Sequence, residues 1–318
     1  MSKAMAHHAE AVLEAVRSPR GAGVSPIVAS WCRSVLSHGL DPERRDQRER
    51  VDGETLASLR AQHEVMLDVA MPVLDSLFRA VGVSGSSVIL TDASGVVLER
   101  RASAADAEAF ERAGLVEGAR WSEAEEGTNG IGTCLVEDRP IIIHRDQHFA
   151  SRNVAISCMD APVHDAHGCL VAALDASTYR EDQGAAMSEM IGALVRDAAR
   201  KIERDLFCRH YRDSRIVFLS DEAAGGTALL AVDRDDLVVG ASRGARLQLG
   251  LGHEALATPL ALDPLLGRTS APSFDEADRT VLRQALARAQ GNASKAARLL
   301  GIGRATFYRR MARAGLKL

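Results

Sequence analysis

The sequence predicts an α+β body followed by a small all-α unit. Three observations carry this: two hairpin patterns set among helical stretches, a long amphipathic helix after them, and a closing run of short helices rich in arginine. The 318 residues exceed one compact core. With 46% apolar and 26% charged residues, the composition excludes a disordered or fibrous chain. The longest apolar runs, such as Cys169 to Leu174, fall far short of the ~20 residues that cross a bilayer, and no secretory apolar region opens the chain. A cytoplasmic protein without membrane contact is expected. The five cysteines, Cys32, Cys134, Cys158, Cys169 and Cys208, are odd in number and contain no Cys-x-x-Cys, which speaks against a disulfide framework or a zinc ribbon.

In order, residues 1–65 read as a helical N-terminal segment. Ala9 to Val16 is alanine-rich, Pro19, Gly21 and Gly23 break it, and Ser25-Pro26 opens a second helix in which Ile27, Trp31 and Val35 recur at spacing four before Gly39. Residues 66–210 change to mixed α and β. Ser87 to Leu90 and Val96 to Glu99 flank Asp92-Ala-Ser-Gly95 as a hairpin; Ala155 to Val163 and Cys169 to Asp175 flank Asp165-Ala-His-Gly168 as another; Pro140 to His144 is a further strand. From Gly184 to Phe207 a helix carries Met187, Ile191, Leu194, Ala198, Ile202 and Leu206 on one stripe, to cover the sheet or to pair with a second copy. Residues 211–270 hold a small hairpin around Asp233-Arg-Asp-Asp236, a helix from Arg243 to Leu249 that together suggest a weak PAS-like segment, and a Pro/Gly-interrupted linker.

Residues 271–318 read as a DNA-reading element. Charge already singles them out: from Asp275 to Leu318 ten Lys/Arg face three Asp/Glu, +7, while the remaining 29 bases and 40 acids give −11, summing to the net −4. An acidic body with a basic tail is expected where one end meets a polyanion. Phe274-Asp275-Glu276 opens a helix with Val281, Leu282, Leu286 and Ala289 inward. Asn292 caps a second from Ala293 to Leu300, Gly301-Ile302-Gly303 turns, and a third from Arg304 to Ala314 puts Phe307 and Met311 inward. Arg304, Arg309, Arg310 and Arg313 point away from that core. Two short helices joined by a glycine turn, the second bearing arginines, form a helix-turn-helix.

The run Gly291-Asn-Ala-Ser-Lys-Ala-Ala-Arg-Leu-Leu-Gly-Ile-Gly-Arg-Ala-Thr-Phe-Tyr-Arg-Arg-Met311 closely resembles the Fis-type helix-turn-helix that ends bacterial enhancer-binding activators. The resemblance implies that Arg304 reads a base edge while Thr306, Arg309 and Arg310 hold phosphates; Arg313 extends the same arginine face. The residue before Arg304, often Ser or Asn in that family, is Gly303 here. So small a unit needs two copies on half-sites ~34 Å apart, so a homodimer is expected.

Gly118-Ala-Arg-Trp-Ser-Glu-Ala-Glu-Glu-Gly-Thr-Asn-Gly-Ile-Gly-Thr-Cys134, Arg139-Pro140, His148-Phe149, Cys158-Met-Asp-Ala-Pro162 and Leu174-Asp175-Ala-Ser177 together resemble the GAF sensory domain of the acetoin-catabolism-regulator family. Ser30-Trp31-Cys-Arg with His38-Gly-Leu-Asp-Pro42 is similar to that family's opening. The family usually has Glu before His148-Phe149, where this chain has Gln147. The resemblance implies a pocket for a small-molecule effector between the sheet face and covering loops, with Trp121, Cys134, Phe149 and Cys158 as its contacts. Gly127-Thr-Asn-Gly-Ile-Gly132 could be a phosphate loop or a turn feeding the helix Ile131 to Val136; the turn accounts for its pattern better. His144 and His148 with Cys134 or Cys158 are metal-ligand types, but strung across a strand and a loop they make no recognised set, and neither metal nor cofactor is expected.

Full-length members of that family carry between sensor and tail an ATPase domain that remodels polymerase holding sigma-54. Such a domain needs Gly-x-x-x-x-Gly-Lys-Ser/Thr, yet none of the four lysines, Lys3, Lys201, Lys295 and Lys317, follows a glycine. The expected function is therefore a ligand-responsive transcription regulator, not an enzyme, that binds DNA as a dimer without ATPase activity. Contact with RNA polymerase, or an accessory or antagonist role beside a full-length paralogue, stays open. A thiol redox enzyme using Cys134 or Cys158 is the remaining alternative.

Overall fold

A computed structural model describes residues 3–18, 25–44, 48–181, 184–219, 227–268 and 274–316. The chain divides into two compact units, Met1–Leu260 and Ala261–Leu318. The predicted break at Pro19, Gly21 and Gly23 lies outside the described residues.

In the first unit, α1 (Lys3–Arg17) precedes α2 (Pro26–Cys32), which starts on proline and runs on as a π-helical turn, Arg33–Ser37. Gly39, at φ 64°, ends it. The expected stripe of Ile27, Trp31 and Val35 is only half-buried; the residues this segment buries completely are Ser30 and Ser34. Then follow α3 (Gly53–Gln62), capped by the Asp52 carboxylate, and α4 (Glu64–Val81), which buries Met66, Ala70, Val73, Leu74, Leu77 and Val81.

These lead into an antiparallel sheet of β1 (Ser86–Thr91), β2 (Val97–Arg101), β3 (Ile141–His144), β4 (Ser157–His164) and β5 (Leu170–Thr178), ordered β2-β1-β5-β4-β3. Both predicted hairpins of this region are present, β1–β2 and β4–β5. Alternation along the strands divides the side chains between two cores. On one face Val88, Leu90, Met159, Ala161, Val163, Ala172, Leu174 and Ala176 pack under α4 and α8 (Ala185–His210). On the other, Ile89, Val97, Ile141, Ile143, Cys158 and Ala173 meet Trp121, Phe110 of α5 (Ala107–Arg112), and Ile131 and Cys134 of the later helix Gly130–Glu137. That helix is α7, following the single turn α6 (Glu123–Glu126).

The stripe on α8 differs from its sequence reading. The sheet takes Ile191, Val195, Ala198, Ala199, Ile202 and Leu206, whereas Met187, Met190 and Leu194 remain 38%, 54% and 37% exposed. A helix of 26 residues at 3.6 per turn offers two neighbouring apolar stripes, and spacing alone does not say which one the sheet takes.

Beyond α8, β7 (Leu229–Val232) and β8 (Leu237–Ala241) form the expected hairpin, and α9 (Arg243–Leu249) the expected helix, capped by Ser242. Two short strands went unread, β6 (Arg215–Phe218) beside β7 and β9 (Leu260–Ala261) beside β8.

The second unit holds a short turn, α10 (Leu262–Leu265), then α11 (Phe274–Arg288), α12 (Ala293–Leu299) and α13 (Arg304–Arg313). Gln290 and Gly291, both left-handed, close α11; the Asn292 side chain accepts from the Lys295 amide at 3.0 Å and starts α12. Leu282, Ala285, Ala289, Ala296, Ala297, Phe307 and Met311 form the core, with Leu286 and Ile302 packed against it. Val281, expected inside, is 48% exposed, and Ala285 takes the inward position.

Phe307 is the largest fully buried side chain of this unit. Phe307→Ala should cost about 3–5 kcal/mol, most of the stability a core this small supplies. Hydrogen exchange on the full chain is expected to show protection lost in α11–α13 and retained in the sheet.

Candidate functional site

The inner face of the sheet lies under α7, and the glycines set how closely. Asn129 caps the helix, accepting from the Gly132 amide at 2.8 Å while its amide donates to the Gly127 carbonyl at 2.8 Å. Gly127 is left-handed, φ 68°. A Cβ on Gly127 would collide with the Phe149 ring, one on Gly130 with the Asp160 carboxylate and Cys158, and one on Gly132 with the Trp121–Glu123 backbone. The Gly127–Gly132 run is therefore the turn that lets a helix press onto a sheet; its Gly132 amide serves that cap.

Trp121, Cys134, Phe149 and Cys158 are all buried, and three of them, Trp121, Cys134 and Cys158, share one core. Trp121 donates from Nε1 to the Gly114 carbonyl at 3.0 Å, with the Arg48 guanidinium 4.1 Å above its ring. Phe149 covers Gly127. The Cys158 Sγ lies 3.4 Å from His148 Nε2 and accepts from the Ser177 hydroxyl at 3.2 Å. Burial, with the Asp160 and Asp175 charges, pushes both the Cys134 and Cys158 thiols well up, so both stay protonated. Burial pushes His148 down to about 4, leaving it neutral. His144 lies on β3, its Nδ1 3.5 Å from Ser157 Oγ.

The groups that stand out on this face are ones the sequence reading passed over. Asp160 on β4 and Asp175 on β5 are register partners, both completely enclosed. Ser177 donates to Asp175 at 2.8 Å, the Asp160 and Asp175 carboxyls hydrogen-bond to one another, and Ser87 Oγ and Tyr179 Oη have no hydrogen-bond partner. Burial first, and then the neighbouring Asp175 carboxyl, pushes Asp160 well above the usual carboxylate range; burial raises Asp175 to about 7 against the opposing Ser177 hydrogen bond. A signal existed: each aspartate interrupts an otherwise apolar strand at an inward position, Cys158-Met-Asp160 and Leu174-Asp175.

The N-terminal segment seats on α6. Glu123, 1% exposed, takes two hydrogen bonds from Arg33, at 2.7 and 3.1 Å, and one from Ser30 at 2.7 Å. Trp31 anchors the same segment, donating to the Gln147 carbonyl at 2.9 Å. At the far end of α7, Asp138 in a left-handed conformation pairs with His164 Nε2 at 2.7 Å and with Arg243 of α9, while His164 Nδ1 meets Glu203 of α8 at 2.5 Å.

In the second unit Arg304 stands exposed at the first turn of α13, 5.6 Å over the Tyr308 ring. Gly303 caps that helix without a side-chain bond. Arg309 and Arg313 are exposed and Thr306 half-buried, while Arg310 pairs with Asp278 of α11 at 3.1 Å.

Comparison with known proteins matches residues 66–205 to the GAF domain and residues 273–313 to the bacterial regulatory protein, Fis family. The chain is 33% identical over 239 residues to the acetoin catabolism regulatory protein of Cupriavidus necator, 74% of this chain and 36% of that one. It is 27% identical over 226 residues to the acetoin dehydrogenase operon transcriptional activator AcoR of Bacillus subtilis, 70% of this chain and 36% of that one. The chain thus spans about a third of the length of these curated relatives. Among solved structures, the DhaR(N)–DhaL complex of E. coli superposes with a TM-score of 0.53 at 18% identity, covering 83% of this chain and 86% of that one, a likeness of fold. Among the described residues no helix is long and apolar enough to cross a membrane. The chain joins a GAF domain to a Fis-type helix-turn-helix and is related to the acetoin-catabolism regulators.

Proposed function

We propose that this chain is a ligand-responsive transcription regulator which binds DNA sequence-specifically as a homodimer and does so without hydrolysing ATP. The observation that carries the reading is the exposed arginine at the first turn of α13, held on a packed three-helix unit in the same chain as a GAF domain. The first turn of a recognition helix enters the major groove, where the Arg304 fork matches the acceptors of guanine. Arg309, Arg310 and Arg313, with Thr306, supply phosphate contacts, and the +7 of Asp275 to Leu318 supplies the field.

Met187, Met190 and Leu194 on α8 support a dimer: apolar, exposed and spaced at three and four, they offer a second copy the stripe the sheet leaves uncovered. The sequence has no phosphate-loop lysine, so activation would proceed through contact with RNA polymerase or with a paralogous regulator that supplies the motor. Regulation fits better than thiol chemistry, because Cys134 and Cys158 are buried and held protonated.

Genomic fragments selected on the full chain should yield a specific site, and Arg304→Ala should weaken its binding by about 5–150-fold in gel shift. A chain that selects no site, or a variant that binds equally well, contradicts the reading. Affinity should fall steeply with salt, and Arg309→Ala should lower that slope by about one while weakening all sequences alike. Light scattering should give twice the 34.0 kDa chain mass.

A further inference from the structure

One cleft of the first unit draws arginines from three separate elements. It encloses about 200 Å³ where the end of α7, one face of α8 and the start of α9 come together. Arg139 enters it from the connection between α7 and β3, Arg196 and Arg200 from α8, and Arg243 from α9. Pro140, Pro162 and Leu247 supply apolar walls.

Most of this positive charge is unanswered. Arg243 is paired with Asp138. Arg139 lies 3.6 Å from Glu137 and Arg200 3.6 Å from Asp197, both beyond hydrogen-bond reach, while Arg196 has no partner among the described residues. Two carboxylates also face the cleft, and both are engaged. Asp138 meets His164 Nε2 at 2.7 Å as well as Arg243; Glu203 accepts from the His164 amide at 2.9 Å and lies 2.5 Å from its Nδ1. Four guanidiniums thus face two carboxylates, a surplus of two charges before any proton on His164 is counted. Arg196 and Arg200 stand at helical spacing four, where like charges repel.

We propose that this cleft binds a small phosphate-bearing anion, held by Arg196 and Arg200 of α8 together with Arg139 and Arg243. Arginine forks match phosphate oxygens two at a time, and a tetrahedral dianion presents acceptors toward three elements at once; a monocarboxylate presents two oxygens in one plane and one charge. The volume falls below the about 300 Å³ at which sites for drug-sized ligands begin, and suits a compact oxyanion. Arg139 and Arg196 also border a neighbouring hollow of about 310 Å³ beside Pro26 and Ile27, which gives room for the carbon body of a phosphate ester. Ala161 and Ala199 belong to the core on the α8 side of the sheet, so the cleft lies opposite the core of Trp121, Cys134 and Cys158. It is a second ligand site, and it requires neither an effector on the inner face nor the DNA-binding reading.

The test titrates the full chain with inorganic phosphate, propyl phosphate and acetate by calorimetry, in chloride buffer at constant ionic strength. Both phosphates should bind and acetate should not. Arg196→Gln and Arg200→Gln should each weaken phosphate about tenfold or more. Without phosphate, both variants should melt with wild type, because Arg196 holds no other residue and Arg200 reaches only Asp197 at 3.6 Å. Arg196→Lys, which keeps the charge but loses the fork, should bind with intermediate affinity. Tighter binding of propyl phosphate identifies an ester as the occupant and equal binding the free ion, and either supports the site. No binding of phosphate, acetate binding as tightly, or affinity unchanged in both glutamine variants overturns the proposal. So does a fall in DNA affinity of Arg196→Gln in phosphate-free buffer, which would assign the cleft to the nucleic-acid backbone. The regulator reading is decided separately, by DNA binding of the wild-type chain.

Discussion

The first unit depends on α7 lying against the sheet with glycine at two positions of its first turn, Gly130 and Gly132. Gly130 and Gly132 allow the approach, and Asn129 fixes the helix start by satisfying the Gly132 amide. From this one contact follow the burial of Ile131 and Cys134 and the dryness around Asp160. The raised carboxyls and protonated thiols are consequences of that closeness, because desolvation is the largest cause of each shift. A helix standing one methyl group further out would admit water, and the same residues would titrate more nearly as they do in solution.

Features written locally were legible in the sequence. All three predicted hairpins turn on an aspartate whose carboxylate accepts amides two and four residues on: Asp92 from Ser94 and Val96, Asp165 from His167 and Cys169, Asp233 from Asp235 and Leu237. In the first two, Gly95 and Gly168 take the left-handed position; in the third Asp236 does, at φ 60°. Caps, turns and the Phe307–Met311 pair depend on neighbours within a few residues. What escaped was set by distant partners. Arg33 and Glu123 are 90 residues apart, and the choice between two apolar stripes on α8 belongs to the sheet beneath it. Asp160 and Asp175 were visible as charges inside apolar strands, but only the β4–β5 register makes them a pair.

The helix-turn-helix was legible because its core is built from residues at fixed short spacings, and its surface was legible only in part. The sequence assigns Arg310 to phosphate, whereas the DNA-free chain pairs it with Asp278. The two readings are compatible energetically. Both side chains are substantially exposed, 51% and 35%, and such pairs contribute about 0–1 kcal/mol. A phosphate competes for that guanidinium on even terms, and the carboxylate released is rehydrated at the surface. Asp278 thus holds Arg310 in place at small cost to binding, which Arg304, stacked near Tyr308, does not need.

The two ends of α7 answer to different parts of the first unit. Its first turn presses on Asp160 and Cys158, while Asp138 at its last turn pairs with His164 on β4 and with Arg243 on α9, and His164 in turn holds Glu203 on α8. A helix of eight residues is about 12 Å long and behaves as a rigid rod over that span. Whatever lifts its glycine end from the sheet would therefore be felt at Asp138, whose partners are His164 on β4 and Arg243 on α9, with Glu203 of α8 reached through His164. A displacement of α7 from the sheet would reach α8 through Asp138, His164 and Glu203, and whatever causes it would act on the chain only to the extent that it prefers one position of that helix.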